Sequence, residues 1–302
     1  MMKPDQAEGL RKLVQQNQTI TPAPLGISGQ AKTIAVMSGK GGVGKSNLTL
    51  NMALSIANAG KRVLVIDLDF GMGNIDILLG KTSTSSILDV LVRKKSFQAA
   101  MTQGTNNLYY ISGGSGLEQL FSLDKDQWSF FLEEMERMMH DFDCIFFDMG
   151  AGLSKDQLPF VLSAGEVVVV TTPEPTSIMD AYSAIKHLAI HQFEQSVQII
   201  VNRCKTPSEG SETYRKLAGV VTSFLHRKLV FAGAVPDDPA VPKAVAEQIP
   251  FYIKQPHSRL SKTIKMLAET LYQQQIREAQ REQHTFIDKL SSFLKGGRWT
   301  HD

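Results

Sequence analysis

The stretch Met37-Ser38-Gly39-Lys40-Gly41-Gly42-Val43-Gly44-Lys45-Ser46-Asn47 constrains this chain more than any other part of it. Residues 39 to 46 fit G-x-x-x-x-G-K-[ST], with the strand-like run TIAVMS before them and the helical pattern NLTLNMALSIANAG after. Glycines in such a loop let backbone N–H groups converge on phosphate oxygens, and the following helix presents its positive end to the same anion. Lys45 then reaches the β- and γ-phosphates of a nucleotide, and the Ser46 hydroxyl can ligate magnesium. The loop also contains a second lysine, Lys40, for which phosphate binding alone has no use.

The rest of the chain supplies the α/β context that the loop needs. After Lys32, short apolar runs alternate with helical patterns: TIAVMS, RVLVIDLD, NLYYISGG, DCIFFDMG, EVVVVTT, VQIIVNR and LVFAGAVP. Most are continuously apolar, which reads as strands buried on both faces. Helices are expected between them, at NLTLNMALSIANAG, DQWSFFLEEMERMMH and SIMDAYSAIKHLAI. This order predicts a doubly wound α/β domain with a mostly parallel sheet over residues 31–271. Residues 1–30 read as a short helix, DQAEGLRKLVQQ, on a Pro/Gly linker, and residues 272–302 as a helical appendage whose last part is amphipathic.

Composition narrows the function classes. Lys and Arg total 32 against 30 for Asp and Glu, a net charge of +2, which argues against a surface built wholly around nucleic acid. No apolar run has the 18 or more residues of a membrane span, and the polar start MMKPDQAEGL lacks a signal-peptide core, so the expected address is the cytoplasm. The two cysteines, Cys144 and Cys204, lie beside or within apolar runs and read as buried thiols rather than metal ligands.

Candidate site residues follow from strand ends. RVLVIDLD carries Asp67 and Asp69, and DCIFFDMG carries Asp148; carboxylates at the carboxyl ends of parallel strands face the crevice where ligands bind. After VQIIV comes Asn202-Arg203-Cys204-Lys205, without the aspartate of N-K-x-D that a guanine site needs. An asparagine amide suits the adenine amino edge instead, which favours ATP and ADP.

With its second lysine the loop resembles the deviant Walker A loop, K-G-G-x-G-K-[ST], of the MinD and ParA ATPases. The resemblance implies a P-loop NTPase of the SIMIBI type in which two subunits sandwich two ATP molecules and Lys40 crosses to the partner's nucleotide. A cation supplied in trans accelerates phosphoryl transfer by about 10³ to 10⁵ in related chemistry. It further implies that Gly39, Lys40, Gly41, Gly42, Val43, Gly44, Lys45, Ser46 and Asn47 hold the nucleotide, with Lys40 and Lys45 serving catalysis. Asp69 corresponds to the switch aspartate that positions the attacking water. Asp148, with Ser46, acts on magnesium, and Asp67 supports its shell. Asn202 reads adenine, while Pro236 and Asp237 in AVPDDPAVPKAV lie over the base. One departure stands out: where the family commonly has D-x-P-A-G, this chain has Asp148-Met149-Gly150-Ala151-Gly152, which loosens the switch on paper.

The two ends narrow the resemblance. Asp5-Gln6-Ala7-Glu8-Gly9-Leu10-Arg11 matches the D-Q-A-x-x-L-R element of the flagellar MinD-like ATPases called FlhG, YlxH or FleN. In that group the element, here Asp5, Gln6, Leu10 and Arg11, engages and stimulates FlhF, a GTPase of the signal-recognition type; C-ring proteins of the flagellum are further partners. At the other end Phe286, Ile287, Leu290, Phe293 and Leu294 form one helical face with Trp299 beyond, and Lys289, Lys295 and Arg298 suit anionic headgroups. The expectation is a homodimerising ATPase that cycles between cytoplasm and membrane and sets flagellar number and placement. Its rivals are a ParA-like DNA segregation ATPase and an adaptor that holds ATP with negligible turnover.

Overall fold

A computed structural model describes residues 31–70, 73–93, 95–114, 124–155, 157–193, 195–279 and 285–295. Eight strands form one sheet: β1 (Lys32–Ser38), β2 (Val63–Leu68), β3 (Thr102–Gln103), β4 (Leu108–Ile111), β5 (Cys144–Ala151), β6 (Glu166–Thr171), β7 (Val197–Cys204) and β8 (Leu229–Pro236). Their spatial order is β3-β4-β2-β5-β1-β6-β7-β8, and only β3 runs antiparallel. All seven strands expected from apolar runs are present. The two-residue β3 carries no period and was not legible.

The helices are α1 (Lys45–Asn58), α2 (Ile75–Leu79), α3 (Ile87–Arg93), α4 (Phe97–Ala100), α5 (Lys125–Met139), α6 (Leu158–Ser163), α7 (Pro175–Ile190), α8 (Pro207–Leu225), α9 (Ala240–Ala246), α10 (Phe251–Lys254), α11 (Arg259–Ala279) and α12 (Phe286–Lys295). They cover both faces of the sheet, because alternate residues of each central strand point to opposite sides. In β1, Ile34 and Val36 pack into one cluster with α1 and α9 to α11, while Ala35 and Met37 join the other with α3 to α8 and α12. Burial on both faces explains why the strand sequences are continuously apolar. The chain moves outward from β1 in both directions, so the carboxyl end of β1 lies at a switch point where such sheets open a crevice.

The C-terminal helix, read from the sequence as a membrane-targeting segment, docks on the protein itself. Thr285 and Asp288 cap α12 reciprocally: the Thr285 amide and hydroxyl donate to the Asp288 carboxylate at 3.0 and 2.8 Å, and the Asp288 amide donates to Thr285 Oγ1 at 3.2 Å. Phe286, Ile287 and Leu290 are buried, with Phe293 packed against the same cluster. The Phe286 ring stacks on Phe147 of β5 with centroids 5.0 Å apart. The apolar face read from the sequence as lipid-seeking is therefore occupied by the protein's own core beside α5 and α6. The Leu294 side chain, Trp299, and Asp5, Gln6, Leu10 and Arg11 lie outside the described residues.

Leu290 is fully buried, and truncating such a leucine costs roughly 2–5 kcal/mol. Leu290→Ala should therefore speed amide exchange across 286–295 by at least tenfold without changing exchange in β1 and β5. Unchanged protection of α12 would contradict its docking.

Candidate functional site

The loop between β1 and α1 is shaped by glycine and by a long-range contact. Gly44, directly before α1, has φ +92°, and a Cβ there would lie 2.5 Å from Nδ2 of Asn202. Only glycine meets both conditions. That same Nδ2 donates to the Val43 carbonyl at 2.8 Å, so β7 holds the loop from 159 residues away. Asn202 is buried, and this bond takes one of the two hydrogens on its amide nitrogen. The amide oxygen remains for a ligand, where it can accept from the 6-amino group of adenine and repels the carbonyl that guanine presents instead.

Behind the loop, Lys45 Nζ lies 2.8 Å from Asp148 Oδ1 and 3.1 Å from the Ser46 hydroxyl. The Thr49 hydroxyl also donates to Asp148 Oδ1, at 3.1 Å. Lys45 is 6% exposed and Asp148 not at all, so both charges are held out of water and each stabilises the other. The second carboxylate oxygen, Asp148 Oδ2, is buried with no hydrogen-bond partner among the described residues. A spare carboxylate oxygen and a serine hydroxyl, on two residues joined through one loop lysine, are the oxygen donors a hard divalent cation takes, so the residues fit magnesium.

Asp67, expected to support the metal shell, is engaged here by backbone amides. Its Oδ1 accepts the Asp69 amide at 2.9 Å, and its Oδ2 accepts the amides of Asn74 and Ile75 at 2.9 and 3.4 Å. The carboxylate thus organises the turn that follows β2. Burial, and then the charge of Asp148, push its carboxyl up to about 7 against the pull of those amides and of Lys45. Asp69, half-buried, lies on the wall of a cavity of 1160 Å³, room enough for a nucleoside triphosphate. Gly41, Gly42, Gly44, Lys45, Ser46 and Asn47 share that wall, as do Asn202, Pro236 and Asp237. The Asp237 amide donates to the Cys204 carbonyl at 2.9 Å, which fixes the β8 turn next to Asn202.

Lys40 is tied to the segment that leads into α7, where Glu174 lies on the wall of the same cavity. Its Nζ lies 2.7 Å from Glu174 Oε2 and 3.0 Å from the Thr176 hydroxyl, at the start of α7. Gly39 lies against the Asp180 backbone of the same helix, and Val43 is buried. Among residues that sequence reasoning missed, Glu174 and Thr49 matter here. Glu174 follows the β6 run EVVVVTT, and its place at a strand's carboxyl end was the available signal. Thr49 is one helical turn beyond Lys45.

Comparison with known proteins identifies the family. The ParA family model, described as the NUBPL iron-transfer P-loop NTPase, matches residues 29–272. The chain is 33% identical over 238 residues to the antiactivator FleN of Pseudomonas aeruginosa, covering 79% of this chain and 85% of that protein. It is 33% identical over 245 residues to the flagellum site-determining protein YlxH of Helicobacter pylori, covering 80% and 82%. Among solved structures, the MinC:MinD cell division complex of Aquifex aeolicus superposes with a TM-score of 0.64 at 27% identity, covering 80% of this chain and 95% of that one.

Because the folded state holds a proton on Asp67 up to about pH 7 and the unfolded state releases it near 3.8, stability of the nucleotide-free, magnesium-free protein should fall as pH rises through that window. Urea midpoints measured at about pH 5 and pH 8 should show the loss, and Asp67→Asn should flatten it. A wild-type midpoint that rises with pH would refute the assignment.

Proposed function

The chain belongs to the ParA family of P-loop NTPases as a FlhG-like, MinD-type member, and from its site we propose that it hydrolyses ATP to ADP and phosphate as a dimer-dependent switch. The observation that carries this reading is the buried Lys45–Asp148 pair, with Asp148 Oδ2 left over and the Ser46 hydroxyl on the same lysine. In the proposed cycle the loop amides and Lys45 bind the triphosphate, and Asn202 accepts from adenine. Ser46 and Asp148 would hold magnesium, which when bound neutralises charge on the β- and γ-phosphate oxygens. Asp69 accepts a hydrogen bond from the attacking water and orients it toward the γ-phosphorus.

Lys40 is proposed to complete the site of a twin subunit. Its present contact with Glu174 is solvent-exposed on the glutamate side and therefore weak, so a triphosphate on a facing copy can compete for it. The lysine holds Glu174 ionised below the usual carboxylate range, chiefly through the hydrogen bond between them. Dimerisation then exchanges a contact within one chain for one between chains.

The output we propose is control of flagellar number and placement, supported by the likeness to FleN and YlxH. Asp5, Gln6, Leu10 and Arg11 would engage the GTPase FlhF and stimulate it, with C-ring proteins as further partners. The anchor is α12, through Phe286, Ile287, Leu290, Phe293 and Leu294, with Trp299 beyond it in the sequence; the helix must leave the core before it can meet an anionic membrane at the inner face of the cell. Two helices presented by a dimer bind lipid by avidity where one binds weakly. No helix among the described residues is long and apolar enough to cross a membrane.

Sedimentation with anionic liposomes tests the switch. Full-length chain should pellet with a nonhydrolysable ATP analogue and stay in solution with ADP, whereas Lys40→Ala should bind the analogue yet neither dimerise by light scattering nor pellet. Equal pelleting in both nucleotide states, or an analogue-dependent dimer of Lys40→Ala, would refute the proposal.

A further inference from the structure

Gln157 precedes α6 at its N-cap position, yet its side chain makes no capping bond. It turns instead toward β2, where Nε2 donates to the Leu68 carbonyl at 2.8 Å. The residue is only 5% exposed, and its Oε1 is buried without a hydrogen-bond partner. Leu68 immediately precedes Asp69, and the Asp69 amide donates to Asp67 Oδ1 at 2.9 Å. The peptide unit between Leu68 and Asp69 is thus gripped at both ends, its carbonyl by Gln157 and its N–H by Asp67. Fixing that plane restricts the directions in which the Asp69 side chain can leave the backbone, on the wall of the nucleotide cavity.

Gly150 makes room for this arrangement. A Cβ at position 150 would lie 2.6 Å from Gln157 Nε2, while its contacts with the Gln157 Cδ and Oε1 would be 3.5 Å. A proline or alanine there displaces the amide from Leu68. The residue that replaces the expected proline after Asp148 therefore belongs with Gln157 as a matched pair rather than loosening the turn. Leu68 lies opposite Met149 in the β2–β5 register, so the contact joins the end of β2 to the segment that follows Asp148.

We propose that Gln157 is a positioning residue for ATP hydrolysis: together with Asp67 it clamps the Leu68–Asp69 peptide so that the Asp69 carboxylate is aimed at the attacking water, and Gly150 is the space that permits it. The inference rests on the ATPase reading above and on Asp69's part in it. It assigns no contact between Gln157 and nucleotide. Losing the clamp slows the chemical step and leaves nucleotide affinity in place, since misplacing a reacting group by about 1 Å costs up to roughly 10²-fold in rate.

The test is steady-state Mg-ATP hydrolysis and binding of a fluorescent nonhydrolysable ATP analogue by full-length wild type, Gln157→Glu, Gly150→Ala, Gly150→Ala/Gln157→Ala and Asp69→Ala. Gln157→Glu keeps the volume and removes the N–H donor. Gly150→Ala moves only the far end of a flexible side chain, so it keeps the assignment testable if a charge at 157 disturbs folding. Both single variants should lose roughly 10- to 100-fold in kcat with analogue affinity within about threefold of wild type. The double variant should be no slower than Gly150→Ala, because the two changes remove one contact. Wild-type kcat in Gly150→Ala, additive losses in the double variant, or parallel loss of kcat and affinity would each overturn the inference while leaving a slow Asp69→Ala in agreement with the ATPase reading. If Asp69→Ala turns over like wild type, the role of Asp69 fails and this inference with it.

Discussion

The buried ion pair between Lys45 and Asp148 organises everything around it. A lysine with 6% exposure and a carboxylate with none are tolerated only because each neutralises the other and Thr49 and Ser46 add hydrogen bonds. The pair joins the start of α1 to the end of β5, which is β1's neighbour in the sheet. Its unfinished state is as informative as its contacts. One oxygen of Asp148 has no partner, and Lys45 has a single carboxylate where a phosphate loop lysine expects several anionic oxygens. The site is stable enough to stay folded, yet it gains interactions on binding an anion with its metal.

Short, identifiable contacts lead outward from that pair. Burial, and then the charge of Asp148, raise the proton affinity of Asp67, whose two oxygens gather three backbone amides at the end of β2. One of those amides belongs to Asp69, and the carbonyl of the same peptide is held by Gln157, just before α6. Helix α12 packs on α6 and stacks Phe286 over Phe147, the residue next to Asp148. Nucleotide site, switch segment and C-terminal helix thus share consecutive residues of β5. Whether binding at one shifts another is a question of differential affinity between two arrangements, and the contacts named are where such a difference has to arise.

The opposite face of the loop has its own logic. Lys40 and Lys45 are five residues apart but separated in environment, one paired in the interior and the other tied to the exposed Glu174. Charge that is screened by water is cheap to rearrange, whereas buried charge is not. This difference suits Lys45 to permanent phosphate binding and Lys40 to a contact that is made and broken.

The sequence by itself determined the fold class, the phosphate loop and the strand-end carboxylates. Gly44 must be glycine because of its backbone angle, a local property, and runs such as VLVIDL read as central strands because burial on both faces leaves no alternation. Tertiary structure alone decided the partners. Gln157 on Leu68, Asp67 on the amides of Asn74 and Ile75, Asn202 on Val43 and Lys40 on Glu174 join positions whose spacing along the chain carries no period. The β3 strand escaped for want of length, and the apolar face of α12 was legible while its occupant was not. An amphipathic stripe has the same pattern whether it faces lipid or a protein core, because both are apolar solvents to it; only the position of Phe147 and its neighbours settles which one it meets in this structure.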